Sequence, residues 1–231
     1  MKSILMKTFC MSAFLSSFLF SKAQDWANLK HYQHENDSVL SLAPVKDRVV
    51  FMGNSITQGW KDTHPEFFQK NPYLDRGISG QTTPQMLLRF RQDVICLSPK
   101  VVVILAGTND IAGNTGPSTL EMIRDNIASM AELAKANGIQ PIICSVLPAY
   151  DYPWRRGLEP NIKIPKLNAL LKTYADRKGF IYMDYFSAMA QPNNAMITEY
   201  TYDGVHCTSK GYDVMEKLIV PAIHKALSKA K

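Results

Sequence analysis

The sequence predicts an α/β fold in which a parallel β-sheet lies between two layers of helices. Short apolar runs alternate along the 231 residues with longer segments of helical periodicity, and this alternation is typical of a parallel sheet covered on both faces. The strongest run, VVVILA at 101–106, is continuous and mostly β-branched, as in strands buried on both faces. A composition of 46% hydrophobic and 20% charged residues indicates a globular chain.

Five strands are predicted from the apolar runs, each followed by small or polar residues. They cover residues 48–52, 75–78, 101–106, 141–147 and 180–184.

Four helices are predicted between and after these strands. Ser118, with Glu121 three residues on, has the pattern of a capping box. Gly138 and Gly179 stand where helices commonly end. The predicted helices cover residues 84–95, 118–137, 164–178 and 208–227.

The first 23 residues have the pattern of a secretory signal peptide. Basic residues precede an apolar stretch at 8–20, and Ser21 and Ala23 frame a cleavage site after Ala23. This predicts a secreted or periplasmic protein with a single domain over 24–231 and no stable membrane anchor. An uncleaved anchor is the alternative, although the stretch is short for a bilayer span.

Charge and cysteine usage argue against several classes of protein. The formal net charge of +6 includes the lysines of the leader, and the other basic residues are scattered beside acids, which argues against nucleic-acid binding. Cys96, Cys144 and Cys207 form no CxxC pair, and the histidines lack the spacing of a metal site. We therefore expect no metal and no organic cofactor.

Polar segments that could carry chemistry follow the predicted strands. In open parallel sheets, ligands bind outside the carboxyl ends of the strands, so these segments should meet at one edge. They read GNSITQG at 53–59, SGQTT at 79–83, GTND at 107–110, PAYDYPWRRGLEP at 148–160 and DGVH at 203–206.

Ser55, His206 and Asp203 are the candidate catalytic residues. A serine hydroxyl needs a base within hydrogen-bond reach, and the base needs an orienting group. Of the five histidines, His206 alone lies in a loop at the predicted edge, and Asp203 precedes it by three residues. The alternative is a simple turn at 203–204 with His206 capping the next helix.

Three groups are candidate donors to an oxyanion: the N–H of Ser55, the N–H of Gly80 and the side-chain amide of Asn109. Taken singly, Gly80 and Asn109 are equally ordinary turn residues. Their occurrence after different strands favours a shared site.

The four segments GNSIT, SGQTT, GTND and DGVH, in this order, resemble the four blocks of the SGNH (GDSL-type) hydrolases. The resemblance implies a flavodoxin-like three-layer α/β/α sandwich and serine esterase chemistry. It assigns Ser55 as nucleophile, Gly80 and Asn109 as oxyanion donors, His206 as base and Asp203 as its partner. Asn54 departs from the family pattern, which usually has Asp before the serine.

The substrate is predicted from the aromatic residues and from a second resemblance. GNSITQGW and the YDGVH segment are similar to platelet-activating-factor acetylhydrolases and bacterial sugar esterases. We expect Trp60, Tyr152, Trp154 and Tyr202 to contact a small-molecule or glycan ester and the enzyme to remove short acyl groups, chiefly acetyl, from carbohydrates. The alternative functions are a lysophospholipase or thioesterase acting on longer acyl chains, and a non-catalytic carbohydrate-binding module. The alternative role of the aromatic residues is to fill the small core of their own loop.

Overall fold

Five parallel strands form a single sheet in the order β2–β1–β3–β4–β5 in the computed structural model, which describes residues 25–230. The predicted signal peptide lies outside the described residues. The strands are β1 (Val49–Gly53), β2 (Tyr73–Gly77), β3 (Val101–Leu105), β4 (Gln140–Cys144) and β5 (Ile181–Met183). This is the strand order of flavodoxin-like folds, so the predicted fold class is confirmed.

Nine helices surround the sheet in the described part of the chain. They are α1 (Gln33–Ser41), α2 (Ser55–Thr63), α3 (Pro65–Gln69), α4 (Thr83–Asp93), α5 (Thr108–Ile111), α6 (Leu120–Ala136), α7 (Pro160–Lys178), α8 (Phe186–Met189) and α9 (Ser209–Lys229). Within residues 25–230, no helix is both long and apolar enough to cross a membrane.

Alternate strand residues build the two halves of the core. Val50 and Ile104 face one layer, where they belong to an apolar cluster with residues of α4, α6 and α7. Phe51 and Val103 face the other layer, where the cluster includes residues of α2 and α9. Both faces of the central strands are therefore buried, which explains why β1 and β3 are continuously apolar.

The ends of several elements differ from the prediction. Helix α6 begins after Thr119, whose side chain accepts a hydrogen bond from the Met122 N–H at 3.2 Å, so Ser118 is not its cap. Helix α7 begins at Pro160, four residues before the predicted start, because proline is well suited to the first turn of a helix. The polar helix α1 was not predicted, since it lacks an apolar stripe.

A buried polar network attaches α1 to the sheet and to α4. Asn36 of α1 donates to Asp93 Oδ1 at 2.7 Å and accepts from Arg76 Nε at 2.9 Å. Arg89 pairs with Asp93 Oδ2 at 3.0 Å and donates to the carbonyls of Gly53 and Arg76 at 3.0 and 2.9 Å. Arg89 thus ties α4 to the carboxyl ends of β1 and β2.

The Arg89–Asp93 pair predicts a large loss of stability on substitution. Arg89→Met leaves the Asp93 carboxylate buried without its cation, which should lower the free energy of unfolding by about 3–5 kcal/mol. Lys172→Met is the matched control, because Lys172 and Asp176 form an exposed pair with the same i,i+4 spacing. Lys172→Met should lower the free energy of unfolding by less than about 1 kcal/mol. Urea denaturation measures both, and equal losses would contradict the role of burial.

Candidate active site

Ser55 is the first residue of α2 and follows β1 by one residue. Asn54 caps the helix, its Oδ1 accepting from the Ile56 N–H at 3.0 Å. An aspartate would offer the same acceptor, so Asn54 preserves the local turn. Gly77 at the end of β2 allows the turn to approach, because a Cβ there would lie 2.2 Å from the Gln58 nitrogen. The serine therefore projects at the carboxyl edge of the sheet.

His206 and Asp203 complete a hydrogen-bonded chain with Ser55. Ser55 Oγ lies 2.9 Å from His206 Nε2, and His206 Nδ1 lies 2.6 Å from Asp203 Oδ2. The structure thus brings together three groups from opposite ends of the chain, in the order that the sequence predicted. Because a carboxylate only accepts, Nδ1 donates to Asp203, which leaves Nε2 to accept the Ser55 hydroxyl proton.

Hydrogen bonds within the loop fix the orientation of Asp203. Its Oδ1 accepts from the N–H groups of Val205 and His206 at 2.9 and 2.7 Å. Partial burial disfavours the charged carboxylate, but the bonds from the His206 backbone and ring and from Val205 outweigh it and lower the pKa of Asp203. Thr201 closes the loop by donating to the His206 carbonyl at 2.7 Å.

The predicted oxyanion donors lie around the same cavity as Ser55 Oγ. This cavity of about 240 Å³ is lined by Ser55, Ser79, Gly80, Asn109, Asn114, Trp154 and His206. Gly80 has φ +76°, a left-handed conformation that glycine adopts without strain. The Asn109 amide is held in place by one hydrogen bond, to the Gln81 carbonyl at 3.0 Å.

Asp110 joins two of the sequence segments beneath the cavity. It accepts hydrogen bonds from the Thr83 N–H at 3.0 Å and from the Thr83 hydroxyl at 2.5 Å. Burial raises the pKa of Asp110 to about 6, against the lowering effect of the bonds from Thr83. The sequence did not predict a role for Asp110, although the GTND motif contains it.

Trp154 and Tyr202 lie beside the candidate base. Their ring centroids are 6.0 and 5.8 Å from that of His206, and the residues are 45% and 71% exposed. Both are therefore accessible to a substrate at the cavity.

Two of the predicted substrate contacts, Trp60 and Tyr152, are buried rather than exposed. Trp60 is only 1% exposed, because it packs in the core against Phe67 and Tyr212. Tyr152 is fully buried, and its hydroxyl lies 2.9 Å from Thr108 Oγ1. Tyr152 instead stacks beneath Trp154, with ring centroids 5.1 Å apart. Aromatic content alone could not separate an exposed ring from the ring that supports it.

Comparison with known proteins identifies the family of the chain. The family model for GDSL-like lipases and acylhydrolases matches residues 51–214, a range that includes Ser55 and His206. The chain belongs to the GDSL-like lipase/acylhydrolase family. The predicted family is thus confirmed, and the protein is an acylhydrolase of the esterase type.

Relatives of this GDSL acylhydrolase include proteins of known structure. A GDSL-like lipase from Bacteroides thetaiotaomicron is 55% identical with a TM-score of 0.83, and the match covers 87% of this chain and 98% of that one. An acetylxylan esterase from Geobacillus stearothermophilus, at 17% identity and a TM-score of 0.61, shares the fold over 78% of this chain and 95% of its own.

Curated relatives match at lower identity or over shorter stretches. A Bos taurus homologue of isoamyl acetate-hydrolyzing esterase 1 is 27% identical over 222 residues, covering 83% of this chain and 88% of the relative. A Bacillus subtilis lipoprotein is 37% identical over 81 residues, and the match spans only about a third of either chain (34% and 33%).

Among residues 25–230, no group of three or more His, Cys, Asp or Glu side chains is arranged to hold a metal ion. The side chains described above supply hydroxyl, imidazole, carboxylate and amide groups at this edge of the sheet.

Asp110 predicts a pH-dependent difference in stability. Its folded pKa of about 6 lies above the value of about 3.9 in an unfolded chain. The folded state therefore binds this proton more tightly and loses stability as the pH rises from 4 to 6. The free energy of unfolding of Asp110→Asn should therefore rise by roughly 1–3 kcal/mol relative to that of wild type between pH 4 and 6, and should change little relative to it at higher pH.

Urea denaturation at pH 4, 5, 6 and 8 measures this difference. Asp37→Asn is the control, since Asp37 lies exposed on α1 and reports the effect of removing a surface carboxyl. A stability difference between Asp110→Asn and wild type that does not change with pH would show that Asp110 binds its proton equally in both states.

Proposed function

We propose that the protein is a secreted serine esterase that removes short acyl groups, chiefly acetyl, from carbohydrates. The observation that carries the proposal is the chain from Ser55 Oγ to His206 Nε2 at 2.9 Å and from His206 Nδ1 to Asp203 at 2.6 Å. Such a chain lets the imidazole accept the serine proton while the carboxylate stabilises the imidazolium.

The proposed reaction proceeds in two steps. Ser55 Oγ attacks the carbonyl carbon of the ester while its proton passes to His206 Nε2. The bond to the alcohol then breaks, and the alcohol leaves with the proton from His206. In the second step His206 takes a proton from water, the hydroxide attacks the acyl-enzyme, and the acid leaves as Ser55 regains its proton.

The N–H groups of Ser55 and Gly80 and the amide of Asn109 are proposed to stabilise the oxyanion in both steps. Their support is their location at one cavity with the serine hydroxyl. Donors that are already fixed before the reaction stabilise the developing charge without reorganising.

The lining of the Ser55 cavity favours a short acyl group. Its volume of about 240 Å³ is small, and Ser79, Asn109 and Asn114 contribute polar side chains to it. The names of the acetylxylan esterase and of the isoamyl acetate-hydrolyzing relative, as acetyl ester hydrolases, agree with this preference.

A second cavity supports a carbohydrate as the alcohol part of the substrate. It has a volume of about 380 Å³ and lies on the Asp203 side of His206, where Tyr150, Pro153 and Arg156 contribute to its lining. Exposed aromatic rings stack on the apolar faces of sugars, so we assign this cavity and the rings of Trp154 and Tyr202 to the sugar.

Secretion is proposed from the pattern of the first 23 residues. The partial match to a protein named as a lipoprotein agrees with export. In this proposal the mature chain is one domain over residues 24–231.

Replacing Ser55 tests the proposed mechanism. Ser55→Ala should lower kcat for p-nitrophenyl acetate by roughly 10⁴- to 10⁶-fold, because the His206 imidazole contacts the Ser55 hydroxyl and not that of Ser79, the other serine of the cavity. Ser79→Ala is the matched control, since Ser79 lines the same cavity and has no assigned role. It should retain activity within about threefold. Equal, slow turnover by wild type and Ser55→Ala would favour a binding module.

A chain-length series addresses the acyl group in the same assay. Among p-nitrophenyl esters, acetate should give the highest kcat/KM. A maximum at eight carbons or more would favour a lysophospholipase or thioesterase.

Replacing Trp154 tests the carbohydrate part of the substrate. Trp154→Ala should raise KM for acetylated xylo-oligosaccharides by about 3- to 10-fold through loss of stacking, and should raise it less for p-nitrophenyl acetate, which carries no sugar. Trp26→Ala is the control, because Trp26 has a matching exposure of 46% but lines neither cavity. Released acetate is the readout. Equal effects of Trp154→Ala on both esters would remove the support for a sugar site.

A further inference from the structure

A second serine–histidine–carboxylate chain lies outside the site described above. His64 Nε2 lies 2.7 Å from Ser209 Oγ, and His64 Nδ1 lies 2.7 Å from Glu216 Oε1. The order of groups is the same as in the Ser55 chain, with glutamate in place of aspartate. None of these three residues takes part in the reaction proposed for Ser55.

The carboxylate of Glu216, which Trp60 also contacts, determines which nitrogen of His64 carries the proton. The indole N–H of Trp60 donates to Glu216 Oε1 at 3.0 Å, and Glu216, as a carboxylate, can only accept. His64 Nδ1 must therefore donate to Glu216, which leaves Nε2 of the neutral ring as an acceptor. The Ser209 hydroxyl is then the donor, and its proton points at a base.

Packing of neighbouring side chains holds Ser209, His64 and Glu216 in their hydrogen-bonded arrangement. Trp60 is buried and stacks on Tyr212 with ring centroids 5.7 Å apart. Ser209 and Glu216 are seven residues apart on α9, so two helical turns place them on one face. His64 follows the last residue of α2 and is largely shielded from solvent. The geometry therefore does not depend on long, exposed side chains.

Ser209 is accessible to reagents from solvent, and the N-terminal end of its helix supplies hydrogen-bond donors. The residue is exposed and begins the 21-residue helix α9. The first N–H groups of a helix lack acceptors within it, so those of Ser209 and Lys210 are donors close to the hydroxyl. An electrophile at Ser209 would thus find a nucleophile, a base and hydrogen-bond donors.

We propose that Ser209 is a second activated nucleophile, which accepts acyl or phosphonyl groups from reactive esters independently of Ser55. With an alkyl fluorophosphonate, Ser209 Oγ forms a bond to phosphorus, the P–F bond breaks and fluoride leaves. The hydroxyl proton passes to His64 Nε2 and then to solvent. No oxidant, metal or further reactant is required.

The test uses the Ser55→Ala protein, in which the main site cannot react. After incubation with a biotinylated alkyl fluorophosphonate, intact mass and peptide mapping should give one adduct, at Ser209. Adding Ser209→Ala should abolish the adduct. Adding His64→Gln, which retains a polar side chain of similar size, should slow labelling by about 100-fold through loss of the base.

Two controls keep the outcome interpretable. The exposed serines Ser38 and Ser228, which donate only to backbone carbonyls, define the background rate. Folding of His64→Gln is checked in the protein that retains Ser55, where turnover of p-nitrophenyl acetate and Tm should stay near wild type. Labelling of Ser209 at the background rate, or at a rate unchanged by His64→Gln, would overturn the proposal.

Discussion

The alignment of parallel strands at their carboxyl ends is the constraint on which the site depends. Gly53 pairs in register with both Gly77 and Leu105, so β1, β2 and β3 end level with one another. The segments that leave these strands must therefore start side by side. Ser55, Gly80 and Asn109 reach one cavity because the backbone hydrogen bonds of the sheet have already placed their starting points.

Buried polar groups then fix the loops at that edge. The guanidinium of Arg89 donates to the Gly53 and Arg76 carbonyls just before the turns that follow β1 and β2. On the next segment, Asp110 holds the backbone and hydroxyl of Thr83. Each of these charges is costly to bury, and each is compensated by bonds to backbone groups. The loops at the site are thus held by the protein interior.

Two of the five histidines stand between a serine and a carboxylate, in different surroundings. His206 belongs to a loop, faces a cavity and is flanked by exposed aromatic rings. His64 lies at a helix junction and faces an exposed serine at the start of α9. The proton geometry is shared, because in both cases a carboxylate fixes the tautomer. What differs is the space beside the serine, and with it the ligands that each serine can meet.

The sequence by itself determined the α/β fold class, the family and the grouping of Ser55, Asp203 and His206 at the sheet edge. These follow from local patterns: β-branched runs, polar segments after strands, and the DGVH spacing that brings Asp203 to His206. The sequence did not determine which aromatic rings are exposed, since Trp60 and Trp154 look alike in the chain. Only the tertiary structure buried Trp60 under α9 and brought His64 to Ser209 and Glu216, because contacts between residues about 150 positions apart depend on how the helices pack and leave no periodic signal.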